Sequence, residues 1–333
     1  MPIIDAHAHV FAEFAHLAVQ VMDRCGIERA VTLEWHDGFG ETLSSHLEQF
    51  ERFPGRFTVF GNGDWSRANA PGFGRMAAEQ LARDVDRGMA GLKVYKALGL
   101  QYRREDGSLW RIDDRAFDPI WARAGALGIP VLIHCADPAC FWLPEEDRIG
   151  YRGLLSGDTH WWSYYPKDTP SHASLLADRD AMIARHPETV FICPHLGSDV
   201  FDLGRASIAL DALPNMVYDL SACEPFLGIS PERAQATRDF VVRHQDRILF
   251  GTDIIYSLAS GPKADQRPGT AQLIGEWSSE CRSDLTFLQT AGVRMNRVSA
   301  RTGEPYAVYG LGLPAGVLHK VLYGNVARMC PAC

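Results

Sequence analysis

The chain has 333 residues, 46% apolar and 22% charged, a balance that suits a globular protein with a full core. Its formal net charge of −8 argues against a nucleic-acid or anionic-membrane surface, because both need a basic patch. No run approaches the ~18 apolar residues of a membrane span, and Met1-Pro2-Ile3-Ile4-Asp5 shows neither the basic nor the apolar part of a secretion signal, so a cytoplasmic location is expected.

Short apolar runs alternate with helical patterns, an order that implies a parallel sheet. The expected strands cover residues 3–10, 29–35, 57–65, 91–98, 130–137, 189–197, 216–222 and 247–254. Helical periodicity falls between them, over 14–25, 41–52, 74–87, 117–127, 174–186, 199–212 and 231–245. Cys25-Gly26, Arg87-Gly88 and Leu127-Gly128 supply helix stops. Eight such units close into a ring more naturally than they form an open sheet. The expectation is therefore one (β/α)8 TIM-barrel domain over residues 1–333. Residues 138–172 interrupt the pattern after the fifth strand and carry Phe141, Trp142, Trp161, Trp162, Tyr164 and Tyr165; an insertion of this length is expected to be a lid. A C-terminal extension covers about 255–333, with 294–310 expected as a loop or an oligomer contact. The eight cysteines are expected to be reduced and buried, and Cys330-x-x-Cys333 to be a tail without catalytic consequence.

The chemistry gathers at strand ends. His7 and His9 are two apart on the first strand, so both point to one face. Alone, the pair reads equally as structural histidines. But the fifth strand also ends in a ligand type, at His134, as do the sixth at His195 and the eighth at Asp253. Each closes an apolar run, where a polar side chain without a partner is costly. In a barrel the strands' C-terminal ends form the active site. Imidazoles with a carboxylate suit zinc first, and also manganese, iron or nickel. Cys193 is expected to pack in the core below His195.

On Asp5-Ala6-His7-Ala8-His9, His134, His195-Leu196-Gly197, Gly251-Thr252-Asp253 and the closing Tyr323-Gly324-Asn325-Val326-Ala327-Arg328, the chain resembles the amidohydrolase superfamily, most closely its amidohydrolase-related branch of hydrolases, lactonases and non-oxidative decarboxylases. The resemblance implies one or two divalent metal ions. His7, His9 and Asp253 would hold the first, and His134 and His195 a second. In one-metal relatives His134 joins the first site and His195 faces water or substrate. Asp253 would also be the general base. Lys93, on the fourth strand, stands where two-metal relatives carry a carboxylated lysine that bridges both ions; an uncarboxylated, substrate-binding ammonium is the alternative.

Around this centre, Glu34, His36, Tyr95, Trp142, Trp161 and Tyr256 are candidate substrate contacts, and Asp64, Trp65, Lys96, Ser221 and Glu224 occupy similar strand-end positions. The first functional expectation is a hydrolase that activates water against an ester, lactone or amide carbonyl of a small molecule, with Asp253 moving the proton and His195 assisting. The second is a non-oxidative decarboxylase of an aromatic or enoic acid. Arg103 and Arg104 are the nearest candidates for a second carboxylate, although Glu105 and Asp106 beside them suggest a surface loop. A metal-binding barrel without activity is the third. A homo-oligomer is compatible with the sequence.

Overall fold

A computed structural model describes residues 1–33, 41–144, 147–148, 164–165, 167–257, 269–296 and 306–330. Its strands are β1 (Ile4–Val10), β2 (Arg29–Leu33), β3 (Phe57–Asn62), β4 (Gly91–Val94), β5 (Val131–Ile133), β6 (Phe191–Cys193), β7 (Met216–Asp219), β8 (Ile248–Leu249) and β9 (Ile254–Tyr256). They form one sheet in the order β8-β7-β6-β5-β4-β3-β2-β1-β9, with every neighbouring pair parallel. β8 lies within the expected eighth strand, and β9 begins at its last residue and runs two residues beyond it. Ile248 and Leu249 pair with β7, Ile254 to Tyr256 pair with β1, and the carbonyl of Phe250 between them accepts from Ala6 N at 2.9 Å. The break thus sits on the seam that joins last strand to first, and the sheet curls into the TIM-barrel arrangement.

Helices such as Ala15–Cys25, Phe73–Asp86, Asp118–Leu127, His172–Arg185, Leu203–Ala212 and Pro231–Arg243 follow the strands on the outside. The inside is filled by Ile4, Ala6, Val31, Leu33, Phe60, Leu132, Ile192, Val217 and Leu249, one layer drawn from nearly every strand. β4 contributes Gly91 instead, and a Cβ there would stand 2.6 Å from the Phe60 ring. The bottom is plugged by the last helical segment, where Val326 joins this layer and Asn325 Nδ2 donates to the carbonyls of Gln245 and Ile248.

β1 carries an irregularity that matters for the site. Ile4 and Ala6 point inward, so strict alternation would send His7 and His9 outward. The register shifts between Asp5 and Ala8. Beyond the shift Ala8 and Val10 pack in the outer layer, and His7 and His9 face the cavity. A bulge of this kind re-aims side chains at the rim of a barrel.

Residues 294–310 hold a hairpin at both ends rather than a loop throughout: β10 (Ala291–Asn296) pairs antiparallel with β11 (Tyr306–Leu311). No described helix is long and apolar enough to cross a membrane. Cys25, Cys135, Cys140, Cys193, Cys223 and Cys281 are free thiols. Cys330 is disulfide-bonded, against the expectation for it; Cys333 lies outside the described residues.

Candidate metal centre

Asp253 ends the broken strand in a left-handed conformation, φ 58°. Its Oδ1 lies 3.1 Å from His7 Nε2 and 3.3 Å from His9 Nε2. His195 completes the group: one ligand atom each from His7, His195 and Asp253 lie within 4.8 Å of one another. The chain reaches His195 by leaving β6 at Pro194 and turning through His195, Leu196, Gly197 and Ser198, all at positive φ. Every described non-glycine residue at positive φ (His195, Leu196, Ser198, Ala222, Asp253) lies just past the end of β6, β7 or β8. Strain concentrated there is typical of a functional site. Gly251 is required by the same crowding, since a Cβ would meet His7 Cβ at 2.7 Å.

The hydrogen bonds behind the rings decide which nitrogens face inward. His9 Nδ1 lies 2.8 Å from the Leu33 carbonyl and His195 Nδ1 2.9 Å from that of Ser221. A carbonyl only accepts, so both Nδ1 atoms carry the proton. His7 Nδ1 meets Asp219 Oδ2 at 2.8 Å. Burial alone would raise the Asp219 carboxyl, but His7 and His195 outweigh it and hold it well below the usual carboxylate range. It too therefore accepts. In their neutral forms all three rings turn an Nε2 lone pair toward Asp253. His7 Nε2 is buried and makes no hydrogen bond. Three imidazole nitrogens fixed by outer partners and one carboxylate are the donor set of a divalent transition-metal site, so these residues fit such an ion.

Asp219 was absent from the sequence reading. Its Oδ1 also accepts from the backbone N–H of His195 and Ser221, each at 3.0 Å, and from the Ser221 hydroxyl at 2.5 Å. Asp5 has a comparable role in the seam. It accepts from His7 N and Thr252 N, each at 3.0 Å, and from Thr252 Oγ1 at 2.7 Å. Burial pushes its carboxyl up to about 6.

His134 stands apart from the group. Its ring centre is 4.8 Å from that of His195, but its Nε2 faces Asp137 Oδ1 at 3.3 Å. Asp137 also pairs with Lys96 and accepts from the Tyr164 hydroxyl at 2.6 Å. Burial drives the His134 imidazole down to about 3. Lys93 is fully buried, and burial lowers its ammonium to about 8.

One cavity connects these groups. His7, His9, Lys93, Tyr95, Lys96, His134, Asp137, His195 and Asp253 line it, against apolar walls that include Phe141, Val200, Phe226 and Ile255. Tyr95 is thus placed as the sequence suggested. Trp142 is not among the lining residues: it stacks on Tyr164 at 4.2 Å between centres and donates to the Pro170 carbonyl, and its neighbour Phe141 takes the wall. Tyr256 turns into the core against Trp277 at 5.1 Å. Trp65 is buried among Phe73, Phe117 and Trp121, and Asp64 bonds the Ser66 hydroxyl. Ser221 backs the histidines, and Glu224 accepts from Arg294 and Tyr306. Arg104 pairs with Asp114 and lies over Trp110, and Arg103 donates to Gly107, so both serve the surface loop. Cys193 packs in the outer layer; only the turn after Pro194 brings His195 inside. Glu34, His36 and Trp161 lie outside the described residues.

The sequence matches the amidohydrolase family model over residues 4–331, and the chain belongs to that family. No curated protein matches it. Among solved structures it is similar to 2,6-dihydroxybenzoate decarboxylase complexed with 2,6-dihydroxybenzoate, at 15% identity and TM-score 0.58, covering 99% of this chain and 98% of the other. A dihydroxybenzoic acid decarboxylase from Polaromonas sp. JS666, with bound manganese and 2-nitroresorcinol, follows at 16% and 0.56, covering 99% and 96%. A probable 2-pyrone-4,6-dicarboxylic acid hydrolase from Acinetobacter baumannii with citric acid bound gives 10% and 0.52, covering 99% and 100%. At these identities the likeness concerns the fold.

Proposed function

We propose that this protein is a metal-dependent, non-oxidative decarboxylase of a small aromatic or enoic carboxylic acid. The observation that carries the reading is the charge around the cavity. Asp253 and Asp219 would offset a divalent cation, and Asp137 offsets Lys96. Lys93 then adds positive charge to the wall, being mostly protonated near pH 7. A site with that surplus favours an anion, and the walls of Phe141, Phe226, Val200 and Ile255 favour a flat apolar body. His7, His9, His195 and Asp253 would hold the ion, with zinc or manganese the first candidates. The ion would supply Lewis-acid polarisation of the substrate's oxygens.

The chain's own residues do the rest. Asp219, Leu33 and Ser221 hold the three imidazoles in one tautomer. Lys93 draws the carboxylate to the wall. Asp253, held as a carboxylate by the histidines around it and partly accessible at the cavity, is the group placed to take a proton from solvent and pass it to the carbon that loses CO2. Two of the similar structures named above are decarboxylases of hydroxylated benzoates, which supports this order of preference.

Hydrolysis of a carboxylate-bearing lactone is the second reading, and Lys93 favours it. An amine lowered to about 8 has a sizeable neutral fraction that can react with CO2 to form a bridging carbamate. The test is the manganese- or zinc-loaded protein offered hydroxybenzoates, 5-carboxyvanillate and pyrone carboxylates. Metal-dependent release of CO2 is expected. Ring opening without CO2 would establish the second reading, and neither reaction with any acid would remove both.

A further inference from the structure

Helix Ala15–Cys25 follows strand β1, which carries His7 and His9, and helix Thr270–Gln289 belongs to the C-terminal extension; the two pack side by side. Phe14 and Tyr256 both lie against Trp277 in this layer. At its edge Cys25, the last residue of the first helix, places Sγ 3.7 Å from the Ser278 carbonyl. One turn further along the same helix is Cys281, so the Cys25 sulfur sits over the turn that carries it, and each thiol shifts the other's protonation. Both are free thiols. Cys25 is half-exposed, whereas Cys135, Cys140, Cys193, Cys223 and Cys281 are buried. A thiol seated over the helical turn that carries a second one needs only a local side-chain movement to approach the ~2.05 Å of a disulfide.

We propose that Cys25 and Cys281 form a peroxide-responsive pair, in which Cys25 is oxidised first and Cys281 resolves it into a disulfide. The Cys25 thiolate attacks the O–O bond of hydrogen peroxide; the sulfur becomes a sulfenic acid and the other oxygen leaves as water. The Cys281 thiol then attacks that sulfur, and the hydroxyl leaves as a second water. Two thiols and one peroxide give one disulfide and two waters. Three features suit this division of work. Cys25 is the thiol an oxidant can reach. Cys281 beside it, with Arg282 and Arg24 nearby, holds the Cys25 thiol below its ordinary range, and a sulfur with more thiolate character is the better nucleophile. Cys281, pushed up by Cys25 and by burial, stays a thiol until the sulfenic acid forms beside it. The bridge would fasten the extension to the helix that follows β1, within one layer of Asp5 and the seam.

The experiment uses the full-length reduced protein. It is treated with hydrogen peroxide, alkylated, digested with trypsin without reductant and mapped by mass spectrometry. Peptide 25–29 is expected joined to peptide 264–282, with the link lost on adding dithiothreitol and absent in Cys25→Ser. In Cys281→Ser, peptide 25–29 is expected to carry a sulfenic acid that dimedone traps. The proposal is overturned if Cys25 in the wild type stays alkylatable after peroxide. It is equally overturned if Cys25 passes to a sulfinic acid while Cys281 remains free, or if it links to another cysteine.

Discussion

Asp219 would touch no bound ion, yet it orients two of the ligands, His7 through the ring and His195 through its backbone. Outer partners of this kind typically govern 10–100-fold in metal affinity. Asp219→Asn should therefore bind Mn2+ or Zn2+ about 10–100-fold more weakly by calorimetric titration. Asp253→Asn and His7→Ala should lose stoichiometric metal outright, and an unchanged metal content in either would sink the site. Asp5 invites a stability measurement. Removing its carboxylate leaves the buried donors of His7 and Thr252 without their acceptor. Asp5→Ala should cost about 3 kcal/mol in denaturant unfolding, at ~1–3 kcal/mol per unsatisfied group. The residues visible in the sequence were those that end an apolar run with a ligand type: His134, His195 and Asp253. Asp219 ends Val217-Tyr218-Asp219 by the same rule, and that signal was there to be used. The Lys96–Asp137 pair was not legible in this way, because it joins positions 41 residues apart and depends on how β4 and β5 align.

At the scale of elements, alternation along a strand told that His7 and His9 share a face but not which face. The bulge decides that, and no residue in Asp5-Ala6-His7-Ala8 announces it. The expected eighth strand ended at 254, two residues short of the end of β9, and hid its break for a similar reason: left-handed Asp253 is a tertiary outcome. Tyr256 was misplaced because β9 resumes after the break, paired with β1, and turns that ring toward Trp277. The extension is stapled by Glu224, which takes Arg294 from β10 and Tyr306 from β11. Glu224→Gln keeps the shape but removes the charge. It should lower stability by about 2 kcal/mol, the size of hydrogen bonds to a charged group, and open the hairpin to protease before the barrel. Simultaneous loss of both would show that the hairpin is not a separate unit.

For the whole molecule, a ligand that binds only the folded chain adds stability by mass action, ~2.7 kcal/mol at a hundredfold excess over Kd. The histidines and Asp253 come from β1, the turn after β6 and the end of the broken strand, so the ion would tie together parts far apart in sequence. Chelation should lower the melting temperature measurably, and Mn2+ or Zn2+ should restore it. A midpoint indifferent to chelator would mean that the metal contributes nothing to holding the ring.

The seam between β8 and β9 carries that idea further. Thr252 N and Asp253 N both donate to the His7 carbonyl, at 3.2 and 2.7 Å, and the flanking paired runs are two and three residues long. The candidate metal site sits on this joint between the last strand and the first. The joint that closes the barrel and its candidate metal site are therefore one structure. Deuterium uptake at these two amides should fall steeply when the ion enters, while the long β1–β2 ladder hardly changes. Local breathing of the closing strand would then be a direct meter of whether the protein is loaded for chemistry.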